Sequence, residues 1–135
     1  MEQVFEIFVP WPPSVLWPNR NAHWSKKTGP RKKQKNDTYF AALEVRVPRT
    51  ADAVNLDVIG HKPSSVSRYD RDNPLAAMKG AIDTVATMVG VDDSKFSPKP
   101  YDDRDTDAPP TNPPLKPGKH RHGGVTLRLT VETHQ

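Results

Sequence analysis

Asp70-Arg71-Asp72-Asn73 sets two carboxylates one residue apart, and Lys79, Asp83 and the pair Asp92-Asp93 follow within a stretch of helical spacing. Clustered carboxylate oxygens are ligands for hard divalent cations such as Mg²⁺, and a lysine beside them can neutralise charge developing on a phosphate. In a basic chain the expected anion is a nucleic-acid backbone, so these residue types read as a metal-dependent nuclease. A plainer reading competes: acids that flank a helix as solubilising groups. An EF-hand calcium loop is excluded. Counted from Asp70 as first ligand, Pro74 falls on a ligand position, Leu75 on the turn glycine and Ala81 on the bidentate glutamate.

The element that carries Lys79 is well marked. Asn73 suits a helix N-cap and Pro74 the first helical position. Leu75, Met78, Ile82, Val85 and Val89 recur at three- to four-residue intervals as one core face, and Gly90 ends the helix. Its N-terminus favours negative charge, whether carboxylate or phosphate. Lys79 lies about two turns in, on roughly the side of Asp72. Asp83, four residues on, is expected to pair with Lys79 and orient it. A helix of about 16 residues is about 24 Å long, so Asp93 meets Asp70 only if the fold brings them together.

Around that helix, residues 3–9 alternate as a first strand stopped by Pro10, and residues 10–30 read as loop. Residues 31–46 read as a helix whose apolar stripe is Tyr39, Phe40, Leu43 and Val47. Residues 53–60 alternate as a half-buried strand with Val54, Leu56 and Val58 on one face. Residues 94–101 read as a strand that Pro98 and Pro100 confine to an edge. Residues 102–119 form a proline-rich, solvated loop, and 124–133 a last strand through Val125, Leu127, Leu129 and Val131. The expected class is α+β: a small two-layer sheet with helices on one face, in the order β-α-β-α-(β)-β, as a single domain over 1–135.

Composition agrees with a thin core. Hydrophobic residues make up 34% of the 135, and 15 prolines demand long loops. A small domain of that kind often gains buried area by self-association, so a homodimer is expected. The absence of cysteine removes disulfides and zinc-thiolate sites. No apolar run is long enough for a membrane span, and the first fifteen residues lack a basic leader, so the expectation is a cytoplasmic protein with no membrane partner. The net charge of +4 is unevenly spread. Lys26, Lys27, Arg31, Lys32, Lys33 and Lys35 crowd into ten residues, where they would contact a phosphate backbone. Asn19, Arg20, Arg68 and Arg71 are further candidates for DNA contact. Trp11, Trp17 and Trp24 are expected to pack the first loop rather than stack on bases. His120 and His122 are expected in a polar loop, and the acidic knot Asp102, Asp103, Asp105 and Asp107 in a solvated one.

The run Asp-Arg-Asp-Asn (70–73), Lys79, Asp83 and Asp92-Asp93 resembles the RusA-like Holliday junction resolvases, the crossover junction endodeoxyribonucleases of bacteria and their phages. Pro-Trp-Pro-Pro-Ser (10–14) with Asn19-Arg20 is a weaker echo of the same family. The resemblance implies a dimeric, Mg²⁺-dependent endonuclease, with Mn²⁺ as a substitute, that cuts four-way or other branched DNA in a bacterial or phage-infected cell. It makes Asp70, Asp72 and Asp93 the metal-binding and catalytic carboxylates and Lys79 the catalytic lysine. Asn73, Asp83 and Asp92 would support them. Some members space the asparagine and lysine more closely than Asn73 and Lys79, and the proline-rich stretch has no counterpart. The alternatives are a non-catalytic module that binds branched nucleic acid, or a nuclease for flap or nicked DNA.

Overall fold

The computed structural model describes residues 2–17, 24–49, 53–63, 66, 69, 73–91, 98–110 and 123–132. Strands β1 (Glu2–Val9), β2 (Ala53–His61), β3 (Lys99–Asp102) and β4 (Gly124–Glu132) form one mixed sheet in the order β1-β4-β2-β3. β4 is antiparallel to both β1 and β2, whereas β3 runs parallel to β2. A parallel pair needs a crossover, and α2 (Asn73–Ala77) and α3 (Lys79–Val89) lie within it. Helix α1 (Trp24–Glu44) fills the connection from β1 to β2. The class is α+β, and among the described residues no helix is long and apolar enough to cross a membrane.

Alternation explains the sheet. The registers align Ile7 with Leu127 and Val58, Phe5 with Leu129 and Leu56, and Val9 with Val125 and Gly60. These rows join Met78, Ala81, Val85 and Val89 from the helical layer in one core. The opposite face carries the row Glu6, Arg128, Asp57 and Lys99, alternating in sign across four strands. Arg128 Nη1 lies 3.7 Å from Asp57 Oδ2. Burial pushes the Asp57 carboxyl up, and Arg128 and Lys99 only partly offset it.

Both long helical segments end alike. The Val47 N–H bonds the Ala42 carbonyl and the Arg46 N–H that of Leu43; Val91 and Gly90 repeat the pattern on Ala86 and Thr87. This is the Schellman geometry, which needs a left-handed residue. Gly90 supplies it at φ 70° without cost, whereas Arg46 adopts φ 59° with a side chain.

Helix α1 departs from expectation twice. It starts at Trp24 rather than 31 and carries Pro30 inside it, where the missing N–H forfeits one ladder bond. The expected stripe is also on the wrong side: Tyr39, Phe40 and Leu43 are 45%, 66% and 45% exposed, while Gln34, Thr38 and Ala42 are buried. Small and hydrogen-bonded residues face the core because α1 packs closely on α3, and an aromatic row would hold the helices apart. The second helix is interrupted at Met78, whose ψ of 14° is not helical.

Candidate functional site

Tyr69, the residue before Asp70, is clamped at the end of the sheet. Its ring meets Trp11 edge-on at 5.1 Å between centroids and Trp17 at 6.4 Å, and Trp11 and Trp17 lie 5.5 Å apart. The Trp17 indole N–H donates to the Pro12 carbonyl at 3.0 Å, which ties the loop after β1 into the cluster. Gly60 makes room for this ring, since a Cβ there would stand 2.7 Å from the Tyr69 hydroxyl oxygen. The packing expectation therefore holds for Trp11 and Trp17. A glycine at a strand end marks a close approach, and that is the one sequence signal that could have pointed to Tyr69.

The acidic knot is more ordered than a solvated loop. β3 ends in a turn where the Asp102 N–H donates to Asp105 Oδ2 (2.9 Å) and the Arg104 N–H to Asp102 Oδ1 (2.8 Å). The Arg104 guanidinium lies 3.1 Å from the same Asp102 oxygen. Burial alone would raise the Asp102 carboxyl, but its hydrogen bonds, led by Arg104, hold it down at about 2. Tyr69 is pushed the other way, first by burial and then by the Asp102 charge. Its hydroxyl is buried facing Asp102 without a hydrogen bond of standard geometry. An open cleft of about 510 Å³ is lined by Tyr69, Asp102, Arg104 and Asp105.

On the other face of the sheet, Asp103 is buried with His61, their Oδ2 and Nδ1 3.0 Å apart. His61 Nε2 lies 2.7 Å from Thr126 Oγ1. The order Thr–His–Asp suggests nucleophilic catalysis, but Thr126 and His61 are 4% and 1% exposed, so no substrate reaches the hydroxyl. The chain of bonds instead staples the end of β3 to β2 and β4.

Lys79 is exposed at the start of α3, and Asp83 is half-buried one turn on. Among the described residues no ion pair joins them, contrary to expectation. An exposed i,i+4 pair is worth only about 0.3–0.5 kcal/mol, too little to hold both side chains. What does fix this turn is Gln34, buried on α1. Its Nε2 donates to the Ala77 carbonyl at 3.0 Å and its Oε1 accepts from the Ala81 N–H at 3.1 Å. In an unbroken α-helix those two groups would bond each other; here the Gln34 amide bridges them. A side chain inserted into the ladder is a recognised cause of a helix break, and this one sits at Met78.

Of the six clustered cations, Arg31 and Lys35 lay their aliphatic stems against Gly80, each 3.3 Å from where a Cβ would stand. Lys27, Thr28, Arg31, Lys32 and Lys35 line an open groove of about 410 Å³. Lys33 turns away and pairs with Asp37 at 2.7 Å, and Lys26 is exposed. Asn73 opens α2. Asp70, Asp72, Asp92, Asp93, Asn19, Arg20, Arg68, Arg71, His120 and His122 lie outside the described residues. Among the described residues, no group of three or more His, Cys, Asp or Glu could hold a metal ion.

No family model matches the chain. It is 29% identical over 144 residues to an uncharacterized protein of Xylella fastidiosa strain Temecula1, an alignment that covers all of this chain and 82% of that one.

Proposed function

We propose that this chain is a RusA-like, Mg²⁺-dependent endonuclease that resolves four-way DNA junctions by symmetrical cleavage. The observation that carries the reading is the contact of the cationic face of α1 with the turn that presents Lys79. Arg31 and Lys35 line the groove and lie against Gly80, the next residue after Lys79, so the cationic row of α1 meets the helix that carries the lysine. Such a surface suits a phosphate backbone and carries little sequence information, as a structure-specific nuclease requires. The motif Asp70-Arg-Asp72-Asn73 with Lys79 and Asp92-Asp93 supports the same reading.

Asp70, Asp72 and Asp93 would hold the metal. Three carboxylates, in a chain with no cysteine, are the hard oxygen donors that Mg²⁺ takes. When bound, Mg²⁺ supplies Lewis acidity at the scissile phosphodiester and makes water a better nucleophile. Lys79 is free of ion pairs among the described residues and stabilises the negative charge that builds on the phosphate or the leaving oxygen. The Trp11 ring fixes Tyr69, the residue that precedes the motif in the sequence. A two-fold homodimer would offer two equivalent sites to the two strands cut.

The test is a labelled four-way junction and a matching linear duplex, with Mg²⁺ or with EDTA, beside Asp72→Asn. Paired symmetrical cuts in the junction alone, lost with EDTA and in the variant, are expected. Tight junction binding without cleavage would instead make the chain a branched-DNA-binding module. Equal cutting of both substrates would remove the junction specificity.

A further inference from the structure

We propose that Gln34 is a positioning residue for Lys79: its side-chain amide, spliced into the α2–α3 ladder, sets the direction in which that lysine leaves the helix. The inference rests on the nuclease reading, in which Lys79 acts on the phosphate. Gln34 comes from a different helix, 43 residues before Ala77 in the chain, and is 7% exposed. Its orientation is fixed by its partners, because one end must donate to a carbonyl and the other accept from an N–H. The Nε2 group also lies 3.4 Å from Met78 Sδ.

Lys79 is the first residue after the break, so the bridged turn decides its angular position. Each residue of an α-helix turns the side chain by about 100°, and one non-helical ψ changes the phase of all that follows. Lys79 lies six positions after Asn73. The break at Met78 sets the phase of Lys79 apart from that of α2. Gly80 completes the device. A Cβ at 80 would stand 2.9 Å from Gln34 Oε1, so only glycine lets the amide reach Ala81. Arg31 and Lys35, one turn apart on the row next to Gln34, lie against Gly80, the residue after the lysine they would assist.

A hydrophobic residue at 34 leaves Ala77 and Ala81 free to bond each other and the helix free to close. The predicted consequence is a lysine rotated away from the phosphate, with DNA contacts on α1 retained. Misplacement by about 1 Å can cost about 100-fold in rate.

The experiment is single-turnover cleavage of a four-way junction by Gln34→Leu, Gln34→Glu, Lys79→Ala and the Gln34→Leu/Lys79→Ala double variant, with junction affinity measured in Ca²⁺ and folding checked by circular dichroism. A drop of about 100-fold is expected for Gln34→Leu, with affinity changed less than threefold and no further loss when it is added to Lys79→Ala. Gln34→Glu keeps the acceptor but, ionised, loses the donor, and should fall between wild type and Gln34→Leu. It also covers the case in which Gln34→Leu does not fold. If Lys79→Ala is inactive while folded Gln34→Leu or Gln34→Glu cleaves at the wild-type rate, the positioning role is wrong and the nuclease reading stands. Losses that multiply in the double variant would likewise overturn it. If wild type cleaves and Lys79→Ala cleaves equally well, or if wild type does not cleave at all, the catalytic lysine falls first and the positioning role with it.

Discussion

Gly80→Ala sets two effects of known size against each other. In an exposed helix, replacing glycine by alanine stabilises by about 1 kcal/mol, because the unfolded chain loses freedom and the helix gains a better former. At Gly80 the new methyl meets Arg31 and Lys35 stems at 3.3 Å and Gln34 Oε1 at 2.9 Å. The stems are long and can shift by a few tenths of an ångström. Gln34 cannot, because both ends of its amide are engaged with backbone on either side of residue 80, at Ala77 and Ala81. Relief therefore means losing the two bonds, each worth about 1 kcal/mol net, and more if a buried group is left unpaired. The balance is a destabilisation of about 1–2 kcal/mol, or a fall in Tm of about 3–8 °C for a chain of this size. Urea and thermal unfolding of Gly80→Ala, Gln34→Ala and the double variant measure it. In the Gln34→Ala background the clash is gone, so Gly80→Ala should turn stabilising by about 1 kcal/mol. A single Gly80→Ala variant that is more stable than wild type would show that the amide bridge is not what holds α1 on α3.

The remaining predictions concern the acidic turn and a helix end. Asp102 sits at about 2 against an ordinary 3.8, so its contribution to stability is complete above pH 3.8 and is lost as pH falls towards 2. Undiluted, that interval corresponds to about 2.4 kcal/mol, but Arg104 is half exposed and screening leaves about 1 kcal/mol. Arg104→Met should flatten the wild-type loss of stability between pH 4 and 2.5 in urea titrations, and an unchanged slope would remove the pair from the account. Arg46→Gly should raise stability by about 1 kcal/mol, since glycine adopts φ 59° freely; a loss in chemical denaturation would mean that the Arg46 side chain contributes something its backbone conformation hides.

Legibility in the sequence followed the range of the interactions. β1, β2 and β4 were readable because one face of the sheet is covered by helices, so alternation survives in Ile7, Val9, Val54, Leu56, Leu127 and Leu129. Gly90 was readable because a left-handed C′ residue is a local requirement. Helix α1 hides its core face for the opposite reason. Its buried positions Gln34 and Thr38 are polar, and they satisfy themselves through Ala77, Ala81 and the helix's own carbonyl at residue 34. Hydrophobic patterning cannot detect a buried glutamine whose partners lie more than forty residues away, so it assigned the core to Tyr39, Phe40 and Leu43 instead.

The candidate site divides along the same line. Residue type alone marks Lys79 and its neighbouring aspartates, because the demand for charge is chemical and does not depend on the fold. What fixes the described residues beside them is tertiary. Tyr69 is fixed by Trp11 and Trp17 from the first loop and by the absence of a side chain at Gly60, and the turn of Lys79 is fixed by an amide from α1. The expected local partner, Asp83, makes no such contact. A solvent-exposed ion pair offers too little free energy to orient a lysine, whereas two hydrogen bonds from a buried amide fix the backbone beneath it. Search for a supporting residue around a motif should therefore begin with buried polar side chains on neighbouring elements, and only then with charges one turn away.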